Sequence, residues 1–344
     1  MTNKFSKKNL LFLFVCIILL SIFYILKYRT EDLNFRIDSA IKKAQIYLDS
    51  VYSEEYFYDD KYLNCESPYV TECTLTGRKI DISVNLMWVD EQVKDHKILD
   101  YQIEKAYDFM DSLIPDWELG TIDVSYIDKI SPERDYGLDA YCTLALLRNS
   151  KIMAEKIKDN MNGLSWVNGT AAEVGYRKIT DETWCISTLI KYKMIDNATT
   201  KKLFNIKLNE TYELLENSDS THEKLYSIIH ILLMFDYAQK FGFDISSYSK
   251  HIQNLQWQLA EVSQYEDIES DMWAQTNVLP ILSQTHFGEK EFMRDLTLKI
   301  LDNQEEDGGW YRLRDVEYGL IGKSFVTLRA ILALNNYKNV YIVS

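Results

Sequence analysis

The sequence predicts an all-α protein: a toroid of six helical hairpins, (α/α)6, preceded by one N-terminal transmembrane helix. Three observations carry that expectation. Glycine and proline are scarce, 12 and 4 in 344 residues, while hydrophobic residues make up 47%, which disfavours turn-rich sheets and disorder alike. Six segments that are apolar almost all round begin near Asp81, Asp139, Glu182, Glu223, Asp271 and Lys323, at intervals of 41–58 residues, the scale of one helical hairpin per repeat. Amphipathic segments alternate with them, as outer helices should alternate with doubly covered inner ones.

In chain order, residues 1–9 form a cytoplasmic tail, 10–26 a transmembrane signal anchor, 27–33 a linker and 34–340 the extracytoplasmic toroid. The run from Leu10 to Leu26 carries no charge over 17 residues, just enough at about 1.5 Å per residue to cross a bilayer core. Lys4, Lys7 and Lys8 precede it, and Lys27, Arg29, Glu31 and Asp32 follow, so the positive-inside bias leaves the N-terminus in the cytoplasm. The segment ends in Phe23-Tyr24-Ile25-Leu26-Lys27 without a small-x-small cleavage site, which favours a retained anchor over a cleaved signal peptide.

The outer segments lie at 40–48, 99–114, 151–162, 200–216, 246–263 and 289–303. In the fourth, Phe204, Leu208, Tyr212 and Leu215 make one stripe and Asn209 lies off its centre. Among the inner segments, Asp139-Ala140-Tyr141-Cys142 aligns with Glu182-Thr183-Trp184-Cys185, and Asp271-Met272-Trp273-Ala274 repeats the acid–x–aromatic opening. Pro280 should kink or end the fifth inner helix. The sixth, residues 324–334, is the most regular. Closure into a ring is preferred to a linear solenoid because no polar capping repeat is evident.

Between the last outer and inner segments stands Gln304-Glu305-Glu306-Asp307-Gly308-Gly309-Trp310. Its Gln-x-x-x-Gly-x-Trp pattern resembles the second half of the repeat of squalene cyclases and protein prenyltransferases, the terpenoid-cyclase-like α/α toroids. Ile300 fits the family's aliphatic position, whereas Lys299 stands where the family has an aromatic. Over 34–340 the resemblance extends only through hairpin spacing. It implies a structural role, with Gln304 and Trp310 tying the outer helix's C-terminus to the next inner helix and Gly308 permitting the turn. The family's chemistry is not implied. There is no Asp-x-Asp-Asp acid, Asp59-Asp60-Lys61-Tyr62-Leu63 fails the diphosphate-binding pattern, and neither a zinc-binding Asp-x-Cys nor a Cys-Gly-Glu-Gln thioester occurs.

A net charge of −14, with no acid before residue 27, argues against nucleic acid or anionic lipid as a partner of the main domain. It suits a solvated surface, or cationic or neutral ligands such as glycans. The expected partners are the bilayer, through residues 10–26, and glycans; no cofactor or metal is expected. Sequons at Asn168, Asn197 and Asn209 are glycosylation candidates that agree with an outside location. Cys65 and Cys73 could close a short loop. For Cys142 and Cys185, buried free thiols are the default expectation, a disulfide comes next and a metal last.

If the six hairpins close, the acids at the inner-helix starts gather around one mouth. Asp139, Glu182 and Asp271 are then the catalytic candidates, and Tyr141, Trp184 and Trp273 the substrate-binding rings, as in a glycoside hydrolase or lyase. The plainer reading is that first-turn acids cap helices and complement their dipoles, while aromatics at helical spacing are core. His222 and His230, two turns apart beside Glu223, read as capping or core histidines. The functional expectation is a glycan-processing hydrolase or lyase. The alternative is a non-catalytic surface binding or scaffold protein, and a cyclase- or prenyltransferase-like enzyme ranks last.

Overall fold

Every element of the computed structural model is helical among the described residues, which are 32–53, 75–118, 136–148, 150–161, 176–312 and 322–342. Thirteen α-helices occur there: α1 (32–51), α2 (Leu75–Gln92), α3 (Asp100–Glu118), α4 (Tyr136–Leu147), α5 (Lys151–Met161), α6 (Tyr176–Lys191), α7 (Asn197–Asn217), α8 (Thr221–Lys240), α9 (Ser249–Val262), α10 (Glu266–Glu269), α11 (Met272–Gln284), α12 (Lys290–Asp302) and α13 (Lys323–Tyr337). No described helix is long and apolar enough to cross a membrane, and residues 10–26 lie outside the described residues.

Local chemistry sets the helix starts. Asp196 caps α7 by accepting from the Thr199 amide, and Ser220 caps α8 through the Glu223 amide. Asp271 caps α11 through the amides of Trp273 and Ala274. That helix runs on through Pro280, which therefore does not end it. Pro280 is buried where α11 packs against α8 and α13, so tertiary contacts offset the lost backbone donor.

The inner helices pack in succession: α2 on α4, α4 on α6, α6 on α8, α8 on α11, and α11 on α13. The last also packs on the first, α13 on α2. Three amides join that end of the assembly: Gln284 Nε2 donates to Asn336 Oδ1 (3.2 Å), and Asn336 Nδ2 donates to Gln92 Oε1 (2.8 Å). Outer helices cover the set, α7 lying against both α6 and α8 and α12 against α11 and α13. One apolar core runs from Leu33 on α1 to Tyr337 on α13.

The polar turn after α12 fastens three helices. The Trp310 side chain is fully buried; its indole N–H donates to the Ile300 carbonyl of α12 (2.7 Å) and its amide to Thr327 Oγ1 of α13 (3.1 Å). Gln304 Nε2 donates within the turn to Gly308 O (2.8 Å) and across to Ala40 O of α1 (2.9 Å). Arg36–Asp302 (2.7 Å) and Lys338–Asp38 ion pairs hold the same seam. Chain segments more than 260 residues apart are thus joined where α1 meets the C-terminal hairpin.

Candidate functional site

Two residues along an α-helix are about 200° of rotation. An acid–x–aromatic pair inside a helix therefore points its two side chains to opposite faces, and α6 does so. Glu182 faces the outer helix α7, where it pairs with Lys207; Glu210 pairs with the same lysine from one turn further along α7. The Lys207 side chain is 0% exposed, and those of Glu182 and Glu210 are 4% and 9%. Trp184 faces the other way, against Trp88 of α2 (5.7 Å between ring centroids), Tyr237 of α8 (5.8 Å) and His230 of α8 (6.1 Å).

Asp271 lies before its helix rather than within it. Besides capping α11 it accepts from Arg312 Nε (2.9 Å) and Nη2 (2.8 Å), and it approaches His222 Nε2 (3.3 Å). Burial pushes its carboxyl up, but the hydrogen bonds from His222 and Arg312, the guanidinium charge and the Ala274 amide outweigh that and hold it below the ordinary aspartate value. Arg312 also covers the Trp273 ring at 4.8 Å. Glu182 and Asp271 are thus each bound to their own cations, at different interfaces. Tyr141 of α4 is buried. The Asp139 side chain lies outside the described residues, as do Asn168, Cys65 and Cys73.

What the inner helices bring together is aromatic. On α8, Tyr226, His230, Leu233 and Tyr237 share one face at i, i+4, i+7 and i+11 spacing. Tyr226 meets Trp273 of α11 (4.9 Å), Trp273 meets Phe325 of α13 (6.4 Å), and Arg329 lies 5.8 Å from the Phe325 ring one turn on. Trp184, His230, Leu233, Trp273, Phe325 and Arg329 are half-buried although they stand on inner helices. His230 Nδ1 and Trp273 Nε1 are buried without a hydrogen-bond partner. Burial, and then the charge of Arg329, pull the His230 imidazole down to about 3, so it is neutral at physiological pH.

Cys142 and Cys185 form a disulfide, which corrects the expectation of free thiols. Their Cα atoms are 4.9 Å apart, a distance that facing positions reach on helices whose axes are ~8–10 Å apart, because each Cα lies about 2.3 Å from its own axis. Small side chains make the approach feasible: Ala145 lies on the α4 face, and Thr188 of α6 donates to the Cys142 carbonyl at 2.8 Å. Asn197 and Asn209 are exposed on α7. Among the described residues no cluster of His, Cys, Asp or Glu is placed to hold a metal ion.

Sequence reasoning missed Lys207, Arg312 and Arg329. For Lys207 a signal existed, because Thr200, Leu203, Lys207, Glu210 and Leu214 occupy one buried stripe of α7. A Lys–Glu pair at i, i+3 inside an apolar stripe calls for a buried partner. Comparison of the chain with protein-family models, curated proteins and solved structures finds no match.

Proposed function

We propose that the protein is a membrane-anchored, extracytoplasmic (α/α)6 toroid that binds a ligand of the glycan class in its aromatic interior, without acid–base chemistry from Glu182 or Asp271. One observation carries this reading: Glu182 turns outward into a sealed ion pair while Trp184, two residues on, turns inward. A half-buried indole offers a flat apolar face, and sugar rings stack on such faces.

The rest of the reading has separate support. Packing of α13 on α2, joined by the Asn336–Gln92 bridge, supports ring closure. The Cys142–Cys185 disulfide supports an oxidising compartment, and the exposed sequon residues Asn197 and Asn209 agree with one. The lysines ahead of residues 10–26 supply the orientation. Hydrolysis of a glycosidic bond needs two carboxyl groups about 5–9.5 Å apart across the bond. Commitment of both described acids to cations weighs against it.

The test is a glycan screen of the full-length protein in detergent, read by tryptophan fluorescence and by product analysis. A ligand should quench fluorescence without turnover, and Trp184→Ala should abolish the response. Product formation that disappears in Asp139→Asn or Glu182→Gln would replace binding with catalysis. Protease protection of the domain carrying Asn197 and Asn209 inside the cell would overturn the orientation.

A further inference from the structure

Helix α1 has one side in the core, where Leu33, Ile37, Ala40, Ala44 and Leu48 are buried. Its other side carries Phe35, at 72% the most exposed large hydrophobic side chain among the described residues, and Ile46 at 51%. They are eleven positions apart, and eleven steps of about 100° return to within about 20° of the same direction, so both side chains project together, about 16 Å apart along the helix. Lys42 stands between them on that line and is exposed. The acids beside the line are engaged with the fold: Asp38 pairs with Lys338, and Asp49 accepts from Gln102 Nε2 at 2.7 Å. Asp32, in the first turn, complements the helix dipole.

Exposure alone does not say what such a face meets. Ile152 of α5 is 64% exposed and Trp257 of α9 49%, and nothing in the sequence brings a partner to either. α1 differs in its place in the chain. Residues 27–31 are all that stand between it and the uncharged run 10–26. Five residues reach at most about 18 Å, so a bilayer crossed by 10–26 lies within that distance of the start of α1. Nor is α1 a loose tail. Gln304 Nε2 donates to Ala40 O at 2.9 Å and Arg36 pairs with Asp302 at 2.7 Å, so the direction α1 takes is the direction the helical assembly takes.

We propose that α1 is the membrane-facing side of the domain, with Phe35 and Ile46 entering the headgroup–acyl boundary of the bilayer that residues 10–26 cross. This rests on the membrane-anchored reading above and adds a fixed orientation to it. Amphipathic helices lie in that boundary with their apolar side chains buried in it. The Lys42 stem lies along it, with the ammonium turned to the lipid phosphates. Lys42 and Lys43 are offset by Asp32, Asp38 and Asp49, which are exposed as well, and the whole chain has a net charge of −14. That balance gives no preference for anionic lipid, so the partner is the apolar boundary itself and zwitterionic lipid suffices.

The experiment places the full-length protein in phosphatidylcholine vesicles carrying a photoactivatable, carbene-generating lipid and maps the labelled residues by peptide mass spectrometry. Label should fall on 10–26 and on α1 around Phe35 and Ile46, and not on Ile152. Replacing part of the lipid with phosphatidylglycerol should leave the α1 label unchanged. The double variant Phe35→Ser, Ile46→Ser should lose most of the α1 label and keep the label on 10–26. Its melting temperature in detergent should match the wild type, because both side chains are exposed; if the variant does not fold, the wild-type map still decides. Label on 10–26 with none on α1 would overturn the seat and leave the anchor standing, and a crosslink joining α1 of two protomers would then assign the face to a second copy. No label on either would overturn both. Label on Ile152 equal to that on α1 would reduce the contact to exposure alone, and an α1 label that requires phosphatidylglycerol would make it a charge contact; either result overturns the proposal.

Discussion

Lys207 donates to Glu182 across the α6–α7 interface with none of its own side chain exposed, and Glu210 closes the same ion pair from α7. A carboxylate held this way fixes two helices to each other. Truncating one partner of a buried ion pair typically costs about 3–5 kcal/mol, because the charge left behind stays buried. Lys207→Met leaves two such carboxylates and should lower the melting temperature more than Glu182→Gln, which leaves the Lys207–Glu210 pair intact. Ligand binding by Glu182→Gln should equal that of the wild type. A Glu182→Gln protein with an unchanged melting temperature and abolished ligand response would reverse the assignment.

This ion pair also marks where the sequence was legible and where it was not. Helix spacing could be read because apolar periodicity is a local property, and each of the twelve expected segments contains a helix. The four-residue α10 escaped notice because so short a helix has no periodicity; Gln275 Nε2 holds it by donating to Ile268 O (2.9 Å) and Ser263 O (3.0 Å). The acids of the candidate site were visible as residue types, but their direction depends on position. Glu182 lies within α6 and turns from Trp184, whereas Asp271 precedes α11 and shares Arg312 with Trp273. Arg329 was hidden for another reason. One arginine in an apolar helix gives no sign of its neighbours until α8 and α13 are brought together.

The Cys142–Cys185 disulfide closes a sequence separation of 43 residues between adjacent inner helices. On the chain-entropy relation, a loop of that size stabilises the folded state by about 4 kcal/mol. Both cysteines are fully buried, so native protein should resist thiol alkylation even after brief exposure to reductant. Denatured, unreduced protein should show no alkylation at either position by peptide mass mapping. The double variant Cys142→Ser, Cys185→Ser should melt well below the wild type under oxidising conditions and match the fully reduced wild type in stability. Alkylation of both sites in unreduced protein would show the bond is not formed.

His230 predicts a pH dependence. Its imidazole is held down to about 3 against an ordinary 6.5, by burial first and then by the Arg329 charge facing it from α13. Between those values the unfolded chain binds a proton that the folded chain does not, so folding stability falls as pH drops from 6.5 toward 3. His230→Phe keeps the edge-on ring contact with Trp184 and removes the titration. Its melting temperature should therefore fall less steeply than that of the wild type from pH 7 to pH 4.5. Asp271, depressed below 3.8, acts at lower pH and is the same in both proteins. Parallel profiles would mean that His230 is charged in the folded state.

Gly308 has φ +98°, and a Cβ built on it would lie 2.5 Å from the Lys43 carbonyl oxygen of α1. Two separate demands meet there, a left-handed backbone and a close approach to another helix. Gly242, at φ +85° with nothing within 4 Å of its would-be Cβ, makes only the first demand. Asparagine tolerates a left-handed backbone but still carries a Cβ, so it separates the two. Gly242→Asn should change stability little. Gly308→Asn and Gly308→Ala should both destabilise by about 2 kcal/mol or more, since a backbone oxygen cannot move aside as a flexible side chain can. Hydrogen exchange should locate the damage: amides of α1 near Ala40 and Lys43 should lose protection as the Gln304–Ala40 hydrogen bond is pushed apart. If Gly308→Asn were as well tolerated as Gly242→Asn, the turn would need only its backbone conformation, and its tight seating on α1 would have no part in holding the C-terminal hairpin to α1.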